Sequence, residues 1–566
     1  MKDEEEERTG NPCHRPGKKT IEMMKRSKNT ISSVWMFARE FGTLAGVGGV
    51  KDVAAQLSRS LARWTGRKVN VVLPLYGFIN PQEMGFSRLS DPDFADESLE
   101  FDVTMNYTDR DRTERVRVWY GVFDRVHIYL LESERFQEKQ GVYTYTREEF
   151  QRESWKTPGT GHYDFFAMNI LLQKAGLDLI MILGERPEVI HCHDGHTAVI
   201  PAMMRECPGY KNYFRVTAAL VTIHNGGIGY HQEVSDLPFV QAITGLPLKV
   251  VNESCLDHSF DPFIAASQYG LMSTVSENYA RELQETDNDY LTGWLGHRLK
   301  ESGVEIAGIT NGIDPADFDP SDPGSLGIFA PYDIRNEKDD LAGKTACKRE
   351  LIRTLAEKPV DHEGDRIGYL TDNISWPLYT FIGRLSDQKG IDILTEAINL
   401  FLAEEPEAQV VCLGNGGERE EAALALAAVD KNNIGRVCFL RGFNSELANQ
   451  VYAAGDFFII PSRYEPCGLT DYIAQLFGNL PIVHHVGGLV KVVDGETGFG
   501  YRDNSPENLT KAMRRALQVC KDKSFVRKMQ SAAVDRIDRF HNWNQVMKKY
   551  IILYKKAITE LTGKVR

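Results

Sequence analysis

The chain has 566 residues, 42% of them hydrophobic and 26% charged, which is ordinary globular composition and more than one core can use. A formal charge of −13 argues against non-specific binding to nucleic acid or to an anionic membrane. Nine scattered cysteines without a C-x-x-C spacing exclude a disulfide frame or a cysteine zinc site and predict reduced thiols in a cytoplasmic protein.

Residues 1–28 are polar, an acidic run followed by a basic one, and predict a disordered arm with no secretory signal. No stretch reads as long and apolar enough to span a bilayer. Ile31–Phe37 predicts a first strand. It runs into Gly42-Thr-Leu-Ala-Gly-Val-Gly-Gly-Val50 and then a helix over Val53–Trp64. A glycine-rich turn between strand and helix, here around Gly48 and Gly49, lets backbone approach a phosphate, or simply makes a tight turn. Strands follow at Val69–Leu75, Val116–Tyr120 and Val126–Leu131, with an acidic hairpin or loop insertion over Asn80–Thr113.

Val189–His196 ends a strand with His191, His193 and His196. His191 and His193 alternate along the strand and lack a carboxylate or cysteine partner at set spacing, so hydrogen bonding is expected there and no metal. Ala218–Asn225 places His224 and Asn225 at another strand end, and Ile306–Asp314 places Asn311. Asp164 precedes a helix running to Leu179. Residues 316–376, rich in Asp, Pro and Gly, predict an interdomain connection with one helical piece, Lys344–Leu355.

A second αβ series then opens. Tyr379–Ile382 leads into Gly383-Arg-Leu-Ser-Asp-Gln-Lys-Gly390 and an amphipathic helix. Asp456–Ile460 leads into Pro461-Ser-Arg-Tyr-Glu-Pro-Cys-Gly-Leu-Thr470 and a further helix. Alternating strands and helices predict an α/β chain with two doubly wound sheets facing a cleft. Ligands gather at the carboxyl ends of such strands. Arg384 and Lys389 on one loop can share a phosphate, and Glu465 can accept sugar hydroxyls or support positive charge at an anomeric carbon. Singly, each is also compatible with a surface ion pair or a helix-start carboxylate.

The two loop sequences just quoted resemble those of the bacterial glycogen synthase and plant starch synthase family, retaining glucosyltransferases of GT-B fold. So do His193-Asp-Gly-His-Thr197, Thr222-Ile-His-Asn225 and Asn311-Gly-Ile-Asp314. The likeness runs from about Ser32 to Tyr554. It implies two Rossmann-like domains, 29–315 and 377–540, and a last helix, 541–566, crossing back to the first through Trp543, Tyr550 and Tyr554. It implies transfer of glucose from a nucleotide-glucose to the non-reducing end of an α-1,4-glucan, with no metal or other cofactor. ADP-glucose is favoured over UDP-glucose as donor. Arg384 and Lys389 would hold the diphosphate and Glu465 the glucose ring, with the amides of Gly468, Leu469 and Thr470 nearby and Cys467 beside them. His193 and Asn311 would line the sugar pocket, and Asp164 would lie on the acceptor side. Gly46 replaces the family's first-loop lysine, with Lys51 or Arg39 able to compensate. Gly195 replaces a tryptophan. Lys491 stands near the place of an aspartate, where it would restore charge toward the donor. Two alternatives stay open: a weakly active or inactive glucan-binding scaffold, and a GT-B enzyme for another sugar donor. The sequence leaves the oligomeric state open.

Overall fold

Short apolar runs rich in β-branched and aromatic residues form two largely parallel sheets. The computed structural model describes residues 31–564 apart from 95, 358–364 and 443. The arm read over residues 1–28 lies outside the described residues.

Across the first sheet, Ile306–Gly308, Leu271–Thr274, Ala218–Ile223, Val189–His193, Ser33–Phe37, Lys68–Pro74 and Val126–Glu132 run parallel. The central strands are buried along nearly their whole length, as strands covered by helices on both faces must be. Thr113–Phe123 joins antiparallel and carries Ser87–Arg88 and Glu100–Thr104, which resolves the Asn80–Thr113 insertion into short strands. Strand order reverses at Ser33–Phe37, between Val189–His193 and Lys68–Pro74. Loops diverge at such a switch point and open a crevice.

The second sheet repeats the plan. Val437–Arg441, Gln409–Gly414, Leu378–Ile382, Phe457–Ile460, Leu480–His484 and Phe499–Tyr501 are parallel, with Arg366–Gly368 antiparallel at one edge. Its switch point is Leu378–Ile382, so the loops carrying Arg384 and Glu465 leave neighbouring strands. The stretch read as a connection contributes to this domain's core through Leu326, Ile334, Leu351 and Ile352, the last two from the helix Ala342–Ala356.

Among the described residues one helix, Phe165–Ile182, is long and apolar enough by length and composition to cross a membrane, unlike the sequence expectation. It is 78% buried inside the first domain, where its apolar surface forms core.

The last helix, Trp543–Lys564, returns to the first domain. Trp543 Nε1 donates to Gln56 Oε1 at 2.6 Å, and Ser60 Oγ donates to the Trp543 carbonyl at 3.2 Å. The Tyr554 hydroxyl meets His191 Nδ1 at 2.9 Å while His191 Nε2 meets Thr222 Oγ1 at 2.7 Å, all buried. Tyr554→Phe keeps the ring and leaves that nitrogen unpaired. The expected loss is about 1–3 kcal/mol of unfolding free energy in urea titration.

Candidate active site

Two loops of the second domain carry the main charges. Gly390 has φ +67°, and a Cβ there would run into the Pro461 carbonyl, so glycine brings the two loops together. Across that junction the Lys389 ammonium pairs with Glu465 Oε2, and Ser462 Oγ donates to the same oxygen at 3.0 Å. Arg463 fixes the loop from outside by a two-pronged bond to Asp392, 2.8 and 2.6 Å. Gly468, at φ +74°, turns the chain into the helix Thr470–Leu476.

Arg384 reaches across the cleft, donating from Nη2 to the Tyr230 hydroxyl of the first domain at 3.0 Å. The two domains also meet behind the Glu465 loop. Ser276 Oγ donates to the Pro466 carbonyl at 2.7 Å, and the Tyr472 hydroxyl donates to the Asn311 carbonyl at 3.3 Å. Glu282 accepts the Gly487 N–H on both oxygens at 3.0 Å, Asn278 Nδ2 donates to the Gly487 carbonyl at 2.9 Å, and Tyr279 meets Tyr464 hydroxyl to hydroxyl. Sequence reasoning missed Tyr230, Ser276, Asn278 and Glu282. Glu282 left one signal, a charged residue on the buried side of the amphipathic helix Glu277–Glu285.

His193 sits at a strand end, Nδ1 against His224 Nε2 at 2.9 Å. Burial lowers its pKa to about 3, so it is neutral at pH 7. Its Nε2 is buried without a hydrogen-bond partner, and so is Asn311 Oδ1. A polyhydroxylated ligand offers the bonds these atoms lack. The Cys467 thiol is buried against the Asn311 backbone, and burial raises its pKa to about 11. Asp194 accepts the His224 and Asn225 N–H groups at 2.6 and 3.3 Å on the same oxygen. Burial nevertheless pushes its carboxyl up to about 7.

Several of the expected positions are engaged within the chain. The Gly48 N–H, and Val47 with it, donates to Glu40 Oε2 at 2.9 and 2.7 Å, so a carboxylate occupies the amides expected to meet a phosphate. Gly49 instead faces Leu469, where an added Cβ would lie 3.3 Å from Leu469 Cδ1. Asn225 uses its side chain within its own turn, accepting the Gly227 N–H at 2.8 Å. Asp164 is bound by Arg135 at 2.6 Å and Lys139 at 2.9 Å. Burial would raise its pKa, but the two cations outweigh that and hold it below the usual carboxylate range. It lines a charged cavity of about 610 Å³ with Arg112, Glu114 and Arg117. Lys491 is buried, its ammonium 3.0 Å from Asp471 and within 2.6 and 2.8 Å of the Cys467 and Gly468 carbonyls. It therefore binds the loop from beneath and adds no charge toward a donor.

The replaced positions have local causes. A Cβ at Gly46 would lie 2.5 Å from Cβ and Cδ of Lys51, so the Lys51 stem covers the face that a side chain at 46 would use. Arg39 is committed elsewhere, to the Tyr76 hydroxyl at 3.0 Å and Asn169 Oδ1 at 3.2 Å. A side chain at Gly195 would meet the His231 carbonyl.

His231 holds the loop that carries Tyr230. Nδ1 faces Asp261 Oδ2 at 2.7 Å and Nε2 faces the Gly226 carbonyl at 2.6 Å. Both partners accept, so both ring nitrogens must carry hydrogen. Burial opposes the charge, but Asp261 and the carbonyl prevail and raise the pKa to about 9. The folded value lies above the unfolded one, so this stabilisation is full below about pH 6.5 and is lost as pH rises through about 9. Its size is about 3 kcal/mol. Urea titrations from pH 6 to 10 should show that decline in the parent and its loss in His231→Gln.

The starch synthase catalytic domain family matches residues 33–300, and the group 1 glycosyl transferase family matches residues 377–519. Glycogen synthase 2 of Geobacter sulfurreducens is 31% identical over 546 residues, 94% of this chain and 100% of that protein. The chain belongs to the glycogen synthase family. Glycogen synthase of an Anaeromyxobacter species is likewise 31% identical, over 92% of this chain and 98% of its own. Among solved structures, the catalytic domain of Starch Synthase IV from Arabidopsis thaliana, bound to ADP and acarbose, superposes with a TM-score of 0.73 at 23% identity. That match covers 94% of this chain and 99% of that one. Two Rossmann-like sheets facing a cleft are the GT-B fold, and a glycogen synthase family member of this fold is a hexosyltransferase.

Proposed function

We propose that this enzyme transfers glucose from a nucleotide-glucose, ADP-glucose in preference to UDP-glucose, to the non-reducing end of an α-1,4-glucan with retention at the anomeric carbon. The observation that carries the site assignment is the Lys389–Glu465 ion pair, made between loops that leave neighbouring strands, with Arg384 on the Lys389 loop reaching Tyr230 of the opposite domain. A departing diphosphate gains negative charge as the glycosidic bond lengthens. A guanidinium and an ammonium already positioned stabilise that charge without reorganising. Glu465 keeps Lys389 in place and accepts from the sugar hydroxyls, while the neutral His193 and Asn311 Oδ1 supply further polar contacts to the ring. These cations perform the charge neutralisation for which other transferases use a divalent ion, so we propose turnover without a metal. The eight described cysteines are free thiols, which supports a reducing, cytoplasmic setting.

The test is incorporation of radiolabelled glucose into glycogen from ADP-glucose or UDP-glucose, with and without EDTA. ADP-glucose is expected to give the higher kcat/KM, unchanged by EDTA. Incorporation from neither, with glycogen binding intact, would make the protein a glucan-binding scaffold.

A further inference from the structure

The segment Asp287–Leu295 is built around one buried carboxylate. Asp289 accepts the Thr292 hydroxyl, the Gly296 N–H at 3.2 Å and the His297 N–H at 2.8 Å, and pairs with His297 Nδ1 at 2.9 Å. Its carbonyl accepts the Trp294 N–H at 3.0 Å. Gly293 and Trp294 both take left-handed backbone, φ 64° and 66°. Glycine adopts that conformation freely, whereas a tryptophan does so at a cost in free energy.

This scaffold displays apolar surface. Trp294 is 46% exposed, Tyr290 58% and Ile228 68%. Ile228 joins the same patch: its N–H donates to the Leu291 carbonyl at 3.1 Å, and a Cβ at Gly293 would lie 3.9 Å from Ile228 Cγ1. The patch continues the active-site cleft. Ile228 is two residues from Tyr230, which receives Arg384, and a Cβ at Gly227 would lie 3.7 Å from the Tyr464 ring. Tyr290 is near enough to Arg463, on the Glu465 loop, to act on its charge. Trp294 packs edge-on against His297, ring centroids 5.2 Å apart, yet nearly half of it stays open, and aromatic surface left open at a cleft mouth at a backbone cost points to a bound partner.

Resting on the glucan-acceptor reading above, we propose that Trp294, Tyr290 and Ile228 form a stacking platform for the α-1,4-glucan acceptor, several glucose units back from the end being extended. The C–H faces of pyranose rings are apolar and lie flat on aromatic rings, while their hydroxyls stay in water. A chain whose end enters the cleft must cross its mouth, and this patch is there. A nucleotide base also stacks on aromatic rings, and the experiment separates the two.

Trp294→Gly and Tyr290→Ala are compared with the parent by migration in native gels containing glycogen. KM is measured for glycogen, for maltotriose and for ADP-glucose. The expected result is glycogen binding weakened about 10-fold in both assays, with KM for maltotriose and ADP-glucose little changed. Trp294→Gly relieves the left-handed backbone but gives up the His297 ring contact, so melting curves are run on both variants to show that they stay folded. Unchanged glycogen migration overturns the platform. So does a rise in KM for ADP-glucose alone, which would assign the patch to the base. Gel migration decides the platform even if neither acceptor is extended, an outcome that would instead defeat the proposed activity.

Discussion

Lys389→Ala is expected to lower kcat for glucosyl transfer about 100- to 1000-fold while the protein stays folded. That is the usual cost of removing one preorganised group from a site of developing charge, about 2.7–4 kcal/mol. Lys389 is partly buried and its ammonium already rests on Glu465, so its position is set before donor binds. A diphosphate brings more negative charge to the same point and can share the ammonium. Lys389→Arg keeps the charge but changes its shape, and should recover part of the rate. Initial rates with radiolabelled ADP-glucose at saturating glycogen measure the effect, and melting curves check the fold.

Lys491→Ala should instead act on stability, lowering the unfolding free energy by about 3–5 kcal/mol. Asp471 is fully buried, and Lys491 is its cation at 3.0 Å. Burial raises the Asp471 carboxyl, and Lys491 opposes that rise. Without the ammonium, a buried carboxylate and the carbonyls of Cys467 and Gly468 lose their partner together. Lys491→Ala with Asp471→Asn should recover much of the loss, because the uncompensated charge goes too. Urea unfolding of the three variants measures this.

Both sheets and the two second-domain loops were legible because glycine and proline punctuate short apolar runs, and because loops leaving neighbouring parallel strands must meet. That topology brings the two loops together, but the sequence did not reveal that Lys389 would rest on Glu465. The last helix was legible through its aromatic residues, which find His191 and Gln56. What escaped depends on partners distant in sequence or on choices between acceptors. Nothing near Asp164 announces that Arg135 and Lys139 will neutralise it. Glu40 taking the Gly48 amide and Asn225 closing its own turn are local hydrogen bonds that compete with a ligand, and spacing does not reveal which wins. Lys491, read as charge toward the donor, is drawn inward by buried Asp471, a partner its sequence position does not announce.

Calorimetric binding of ADP and AMP to the parent, Arg384→Ala and Lys389→Ala tests most directly whether these two cations hold the terminal phosphate of the leaving group. Each substitution is predicted to weaken ADP about 10- to 100-fold and to leave AMP, which lacks that phosphate, nearly unchanged. Equal losses for both nucleotides, or none for either, would contradict the account.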